Sequence, residues 1–248
     1  MKTARVLYNG AVHSAIAHEQ GLLLADGRVL NELDVIWLPP VEVGTIFALG
    51  LNYADHSREL GFKPPNEPLV FMKGPNTLLG HDGQTPRPKG VKFMHYECEL
   101  VVVIGQRAQR IPREQALQYV AGYTIANDYA VRDYLENFYR PNLRVKNRDA
   151  CTPLGPWLSS VDEVNDPQNL ALVTRVNGLV TQRGSTRDMV FSVAYLIEYL
   201  SSFMTLEPGD IILTGTPDGV VDCPVGSVVE CEIEGLGTLR SCVVDDKF

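Results

Sequence analysis

No stretch of the sequence approaches the ~20 consecutive apolar residues that a membrane-spanning helix needs. The opening residues, MKTARVLYNGAVHSAIAHEQ, also lack the apolar core of a secretory leader. Cysteine is scarce. Cys98, Cys151, Cys223, Cys231 and Cys242 are odd in number, and none lies in the C-x-x-C spacing of a zinc or redox site, so they read as reduced, mostly buried thiols. These absences lead to the expectation of a soluble cytoplasmic protein with no membrane partner. Positive charge is in short supply as well. With 22 Lys+Arg against 30 Asp+Glu, the net charge of -8 opposes binding to phosphate backbones, and nucleic acid is not an expected partner. There is no Gly-x-Ser-x-Gly elbow, Walker loop or Rossmann glycine fingerprint, so serine hydrolase, P-loop and dinucleotide chemistries lose their usual support. No internal repeat or low-complexity tract is present.

The 248 residues and 45% apolar content suffice for one large globular domain, alone or with a small appendage. Short apolar runs at residues 4–8, 12–17 and 21–25 are separated by Asn9-Gly10 and Asp26-Gly27, which suit tight hairpin turns. They predict a small β-meander over residues 1–42, closed by Pro39-Pro40, and a larger domain over 43–248. Further β-rich runs lie at 45–51, 69–72, 97–104, 170–176, 210–214 and 227–233, with turn signals at Asp82-Gly83, Asn177-Gly178 and Asp218-Gly219. Two segments read as helix. One is Pro112–Tyr119; the other is Asp188–Met204, with Val190, Val193, Ala194, Ile197, Leu200 and Met204 on one face. The predicted class is mainly β with some α (α+β).

Glu97 and Glu99 open an apolar strand. Period-2 alternation puts them on one face, roughly 6–7 Å apart, with Cys98 opposite. A bare Glu-x-Glu also suits a solvated edge. A third acid, Asp128, ends the apolar run from Gly122, where a strand meets a loop. Three carboxylates against Mg2+ or Mn2+ leave about three of six octahedral positions open, two of which a 2-oxo acid can chelate. Lys146 lies in a segment with Arg140, Arg144 and Arg148 that can face an anionic substrate or form a solvated basic loop. His56 and Glu59 have the spacing of one helical turn, at which the glutamate can raise the basicity of the histidine; the alternative is a capping or lid histidine. Arg132 can reach the same cavity as Asp128 or pair with Asp128 or Asp133. The loop Thr214-Gly215-Thr216-Pro217 can bring hydroxyls to a carboxylate or mark an ordinary turn. His95, beside the acidic strand, reads as a supporting residue rather than a ligand.

From about residue 43 onward the chain resembles the fumarylacetoacetate hydrolase family. The landmarks are Gly50-Leu51-Asn52-Tyr53-Ala54-Asp55-His56, Tyr96-Glu97-Cys98-Glu99-Leu100, Gly122-Tyr123 through Asn127-Asp128, Lys146, and Leu213-Thr214-Gly215-Thr216-Pro217. Within the family, Arg132-Asp133-Tyr134-Leu135-Glu136-Asn137 and Tyr139-Arg140-Pro141-Asn142-Leu143-Arg144-Val145-Lys146 resemble the isomerase/decarboxylase branch of 4-hydroxyphenylacetate breakdown. The resemblance implies a roll of twisted β-sheets with a small N-terminal β-rich domain. It implies Mg2+ or Mn2+ on Glu97, Glu99 and Asp128, catalysis by His56, Glu59 and Lys146, and substrate binding by Arg132 and Thr216. The implied substrate is an unsaturated 2-oxo di- or tricarboxylate: 5-oxopent-3-ene-1,2,5-tricarboxylate would be decarboxylated to 2-hydroxyhepta-2,4-diene-1,7-dioate, then isomerised to 2-oxohept-3-ene-1,7-dioate. The alternatives are acylpyruvate-type C–C hydrolysis and a non-catalytic paralogous subunit. The implied assembly is a homodimer or a complex with a paralogue.

Overall fold

Asn9 and Gly10 both take positive φ, 49° and 78°, as a two-residue hairpin turn that follows the strand twist requires. They join β1 (Lys2–Tyr8) to β2 (Ala11–His18) in a computed structural model that describes residues 1–59, 65–135 and 142–247, and of residues 56–58 the backbone alone. β3 (Gly21–Leu24), β4 (Val29–Leu30) and β5 (Ile36–Leu38) follow. Alternation along these strands turns Ala4, Val6, Ala15, Leu22, Leu24, Leu30 and Trp37 into one small buried cluster.

Next come β6 (Ile46–Gly50), α1 (Ala54–Glu59), β7 (Leu69–Lys73), β8 (Leu78–Leu79), β9 (Gly83–Arg87), β10 (Met94–His95), β11 (Cys98–Ile104), β12 (Val120–Asn127) and β13 (Ala130–Val131). The remainder is α2 (Leu143–Lys146), β14 (Thr152–Ser160), β15 (Ala171–Val176), β16 (Leu179–Ser185), α3 (Val193–Phe203), β17 (Ile211–Leu213), β18 (Val228–Ile233) and β19 (Gly237–Asp245). Twelve strands form one sheet in the order β4-β3-β2-β1-β14-β12-β11-β17-β6-β7, with β5 on β1 and β8 on β14. A second sheet runs β16-β15-β18-β19-β9, and β10 pairs with β13. The mainly β expectation holds, and the two large sheets are consistent with a twisted β-roll.

β11 is buried along its whole length, so both of its faces are packed. Cys98, Leu100, Val102 and Ile104 join Leu172, Val229, Cys231 and Ile233 in the largest core. On the other face Val101 and Val103 meet Ile46, Ala48, Ala126, Leu154, Ile211 and Leu213. That second face carries Glu99. The core is therefore laid around one strand that carries Glu99 near its start and follows directly on Glu97.

Some elements depart from their sequence prediction. The segment after Pro112 is a 3-10 helix over Arg113–Tyr119, not an α-helix. α3 begins at Val193 rather than near Asp188: Thr186–Asp188 forms a separate 3-10 turn, and the Ser192 hydroxyl accepts from the Tyr195 N–H to cap the helix. Val190 therefore lies outside the helix, while Val193, Leu196, Ile197 and Leu200 supply its buried face. Strand β14 was hidden by Pro153, Gly155 and Pro156, residues depleted from strand interiors, although it sits between β1 and β12. Among the described residues no helix is long and apolar enough to cross a membrane.

Asn52, directly after β6 and Leu51, is 1% exposed and ties three segments together. Its Nδ2 donates to the Thr214 carbonyl at 2.8 Å and the Phe191 carbonyl at 3.1 Å, and its Oδ1 accepts from the Phe191 N–H at 2.8 Å. Replacing it by alanine strands one donor and two acceptors in the interior. Asn52→Ala is expected to destabilise the fold by about 2–3 kcal/mol and lower Tm by roughly 5–10 °C in a thermal melt; a change below about 2 °C would contradict this role.

Candidate metal centre

The register of β11 against β12 sets Cys98 opposite Asn127, which brings Asp128 opposite Glu97. The Asp128 N–H donates to the Glu97 carbonyl at 2.8 Å, and the Asn127 side chain accepts from the Glu97 N–H at 3.2 Å. Glu99, two residues along, shares the face of Glu97. One oxygen from each of Glu97, Glu99 and Asp128 lies within 4.8 Å of the others. The solvated-edge reading is overturned: Glu97 is 6% exposed, and Glu99 and Asp128 are fully buried.

Three buried carboxylates need positive partners, since an isolated ion in a low-dielectric interior is costly. Lys146, the last residue of α2, places Nζ 2.7 Å from Glu97 Oε2 and 2.9 Å from Asp128 Oδ2. Arg132 opens a 3-10 turn over Arg132–Tyr134 and puts Nη2 3.2 Å from Glu97 Oε1. It thus pairs with neither of its expected partners, and Asp133 instead accepts the backbone N–H groups of Lys92 and Phe93. The third cation was not predicted. Lys73 ends β7 with a fully buried side chain, and its Nζ lies 2.7 Å from Asp128 Oδ1. Its signal in the sequence was a lone lysine two residues after Phe71, on the inward face of an apolar strand.

The remaining carboxylate behaves differently. Glu99 Oε2 accepts the Gly215 N–H, while Glu99 Oε1 is buried with no hydrogen-bond partner among the described residues. Gly215 has φ of 90°, and a Cβ there would meet Asn52 Cβ at 3.0 Å, so a glycine suits this approach of backbone to carboxylate. Burial, followed by repulsion from Asp128 and Glu97, pushes the Glu99 carboxyl well above its ordinary value. Burial acts to lower Lys146, but Asp128 and Glu97 outweigh it and hold the ammonium above the usual lysine value. His95 is driven down to about 3, mainly by burial, and is therefore a neutral imidazole. Its Nδ1 lies 2.9 Å from the Tyr96 carbonyl and its Nε2 accepts from Arg132 Nε at 2.7 Å, which places the ring proton on Nδ1 and aims the guanidinium. His95 itself contributes no oxygen or nitrogen to the acidic cluster.

The other candidates are distributed around this centre. Thr216, one residue past Gly215, is buried, and its hydroxyl accepts from Gln182 Nε2 at 3.0 Å. Glu59 is exposed at the end of α1, with Oε1 accepting the Gly219 N–H at 3.0 Å. The backbone of His56 lies in α1, the helical turn on which its pairing with Glu59 was conditional, but its side chain lies outside the described residues, as does Arg140. Of the other arginines expected in a basic cluster, the two described turn elsewhere. Arg144 is exposed and stacks over Tyr134 at 4.1 Å, and Arg148 pairs with Asp246 at 2.8 Å. Lys146 turns inward because it lies two residues from Arg144, on the opposite side of a single helical turn.

Hard oxygen donors, close approach and an unpartnered buried carboxylate oxygen together suit a divalent cation such as Mg2+ or Mn2+. Comparisons with known proteins bear on the same segment. A family model described as fumarylacetoacetate hydrolase C-terminal matches residues 45–244. The 4-hydroxyphenylacetate degradation bifunctional isomerase/decarboxylase of Salmonella dublin is 57% identical over 222 residues, covering 90% of this chain and 52% of that protein. The chain thus spans about half the length of that relative. Crystal structures of two other proteins share the fold. The 2-hydroxyhepta-2,4-diene-1,7-dioate isomerase of Mycobacterium marinum matches with a TM-score of 0.85 and 32% identity over 100% of both chains. The fumarylpyruvate hydrolase of Pseudomonas aeruginosa, in complex with Mn2+ and pyruvate, matches with a TM-score of 0.77 and 34% identity over 86% of this chain and 92% of that one.

A carboxyl whose folded pKa is raised stabilises the fold while protonated, below its unfolded pKa, and loses that contribution as pH rises through the folded pKa. Ionised Glu99 is accordingly a burden at neutral pH when no cation is bound. In chelator at about pH 7.5, Glu99→Gln is expected to raise Tm by roughly 3–6 °C, whereas added Mn2+ should stabilise only the unsubstituted protein. A lower Tm in chelator, or equal Mn2+ stabilisation of both proteins, would contradict this assignment.

Proposed function

The chain belongs to the fumarylacetoacetate hydrolase family, and we propose that it is a divalent-metal-dependent decarboxylase and isomerase of unsaturated 2-oxo acids in 4-hydroxyphenylacetate catabolism. Its substrate is 5-oxopent-3-ene-1,2,5-tricarboxylate, which loses CO2 to give 2-hydroxyhepta-2,4-diene-1,7-dioate and then becomes 2-oxohept-3-ene-1,7-dioate. The observation that carries this reading is the buried trio of Glu97, Glu99 and Asp128, with Glu99 Oε1 unpartnered among the described residues and Lys146 in contact with Glu97 and Asp128. The likeness to the Salmonella dublin enzyme supports the choice of substrate.

Glu97, Glu99 and Asp128 would hold Mg2+ or Mn2+, which supplies Lewis acidity toward the 2-oxo acid. Lys146 sits where its ammonium can steady the oxygen that gains charge as CO2 departs. Arg132, oriented by neutral His95, and the Thr216 hydroxyl receive substrate carboxylates. His56 moves the proton that shifts the double bond, and Glu59 assists it from the same turn of α1. One electron sink thus serves both decarboxylation and isomerisation. A single chain active without a paralogue would make a purely structural role untenable.

A second reading has one specific support, the likeness to a fumarylpyruvate hydrolase. Water attack on a neighbouring carbonyl would then release the same enolate as a leaving group. The products separate the two readings: CO2 and a dienol for the decarboxylase, two carboxylic fragments without CO2 for the hydrolase.

Incubation of the Mn2+-loaded chain with the tricarboxylate, following CO2 and ultraviolet absorbance together, is expected to show CO2 release with a transient dienol. Lys146→Met should lower kcat by about 10²–10³. A Glu97→Gln, Glu99→Gln double variant should be inactive, and undiminished turnover by it in chelator would overturn the proposal. Proton and metal compete for Glu99, whose pKa is raised, so the Mn2+ needed for half-maximal activity should increase as pH falls from about 8 to about 6.

A further inference from the structure

The loop after β17 carries two buried threonines whose hydroxyls are used differently. Thr214 Oγ1 donates to the Leu100 carbonyl at 2.8 Å, so its proton is already committed. Thr216 Oγ1 accepts from Gln182 Nε2 at 3.0 Å, and among the described residues nothing accepts from it. Gly215, between them, gives its N–H to Glu99, so the uncommitted hydroxyl belongs to the residue next to that contact.

Chemistry fixes which end of the Gln182 amide faces the loop. The same Nε2 lies 2.8 Å from the Pro217 carbonyl, which can only accept, and Oε1 lies 2.7 Å from Thr174 Oγ1, which can donate. A flipped amide would set two carbonyl oxygens against each other. One Nε2 hydrogen therefore goes to Pro217 and the other to Thr216, which becomes an acceptor toward the glutamine. With that lone pair occupied, the Thr216 proton is directed away from Gln182. Thr174 and Gln182 sit opposite each other on β15 and β16, and both are buried, so the second sheet sets the polarity of a loop that belongs to the first. Gly184, two residues along β16, leaves room for the same loop: a Cβ there would lie 2.6 Å from Pro217 Cγ.

We infer that Gln182, braced by Thr174, is a positioning residue that fixes Thr216 as a hydrogen-bond donor and so matches it to a group that only accepts, a carboxylate. This role rests on the reading that Thr216 receives a substrate carboxylate, and it names the residues of the other sheet that decide where the hydroxyl proton points. A buried chain of this kind works only as a unit. Removing the Gln182 amide leaves the Pro217 carbonyl without its donor and the Thr216 hydroxyl free to rotate.

Calorimetric titration of 2-oxoheptanedioate, the saturated analogue of the proposed product, into the Mn2+-loaded full chain tests this without turnover. Gln182→Met and Thr216→Val are each expected to weaken its binding by about 10-fold, and the double variant by about the same factor rather than by the product of the two. Thr216→Ser, which keeps the hydroxyl, should stay within about 3-fold of the unsubstituted protein, and so should the Mn2+ affinity of Gln182→Met. Neutron diffraction from deuterated crystals of the unsubstituted chain should show both Gln182 Nε2 deuterons on Pro217 and Thr216, and the Thr216 deuteron turned away from Gln182. A Thr216 deuteron pointing at Gln182 would overturn the inference even if the variants fail to fold. So would additive losses in the double variant, or Mn2+ affinity lost in Gln182→Met, which would mark the glutamine as a support of the whole loop. No binding of 2-oxoheptanedioate to the unsubstituted chain would overturn the proposed function and the carboxylate recipient with it, whereas binding that Gln182→Met leaves unchanged would overturn this inference alone.

Discussion

The centre depends on one electrostatic constraint: three carboxyl groups are withdrawn from water around the start of β11 and the end of β12, where Lys73, Lys146 and Arg132 compensate Glu97 and Asp128 while Glu99 is held by the Gly215 N–H. Such a group is expensive to assemble and more expensive to break, since removing one partner leaves an uncompensated buried charge. It also draws distant segments together. Lys73 comes from β7, Arg132 from the turn after β13, and Lys146 from α2. The sheet supplies rigidity to the carboxylates through its register, while the cations arrive on shorter elements at its edge and beyond its end.

Support for the centre extends outward in the same manner. His95, kept neutral by burial, holds Arg132 from behind, and Gly215 brings its N–H to Glu99 in a loop that Asn52 fastens through Thr214. Asn52 also grips Phe191 ahead of α3. Core packing, loop conformation and ligand-atom placement are therefore linked through hydrogen bonds rather than through the carboxylates alone. Glu99 Oε1, which has no hydrogen-bond partner among the described residues, lies within this support.

Much of this was legible in the residues. Asn9-Gly10 and Asn177-Gly178 marked hairpins because both positions of such turns need positive φ, and both pairs have it. Two-residue spacing was enough to put Glu97 and Glu99 on one face, but their burial was not legible, since Glu-x-Glu also suits a wet edge. Asp128 reached the group through a strand register that only the fold sets. Lys73 was missed because a single lysine at the end of an apolar run reads as the strand stopping at Met72. β14 was missed because two prolines and a glycine outweighed its central position. The arginines near Lys146 looked like one basic wall, yet a helical turn points neighbouring residues in different directions, toward Tyr134 and Asp246 as well as toward the acids.

The most direct test of the central claim is the location of manganese in crystals of the protein grown with Mn2+, read from its anomalous scattering. The account predicts one strong peak at about 2.0–2.3 Å from a carboxylate oxygen of each of Glu97, Glu99 and Asp128, including Glu99 Oε1. A fully occupied peak on other residues, with none at these three carboxylates, would contradict it.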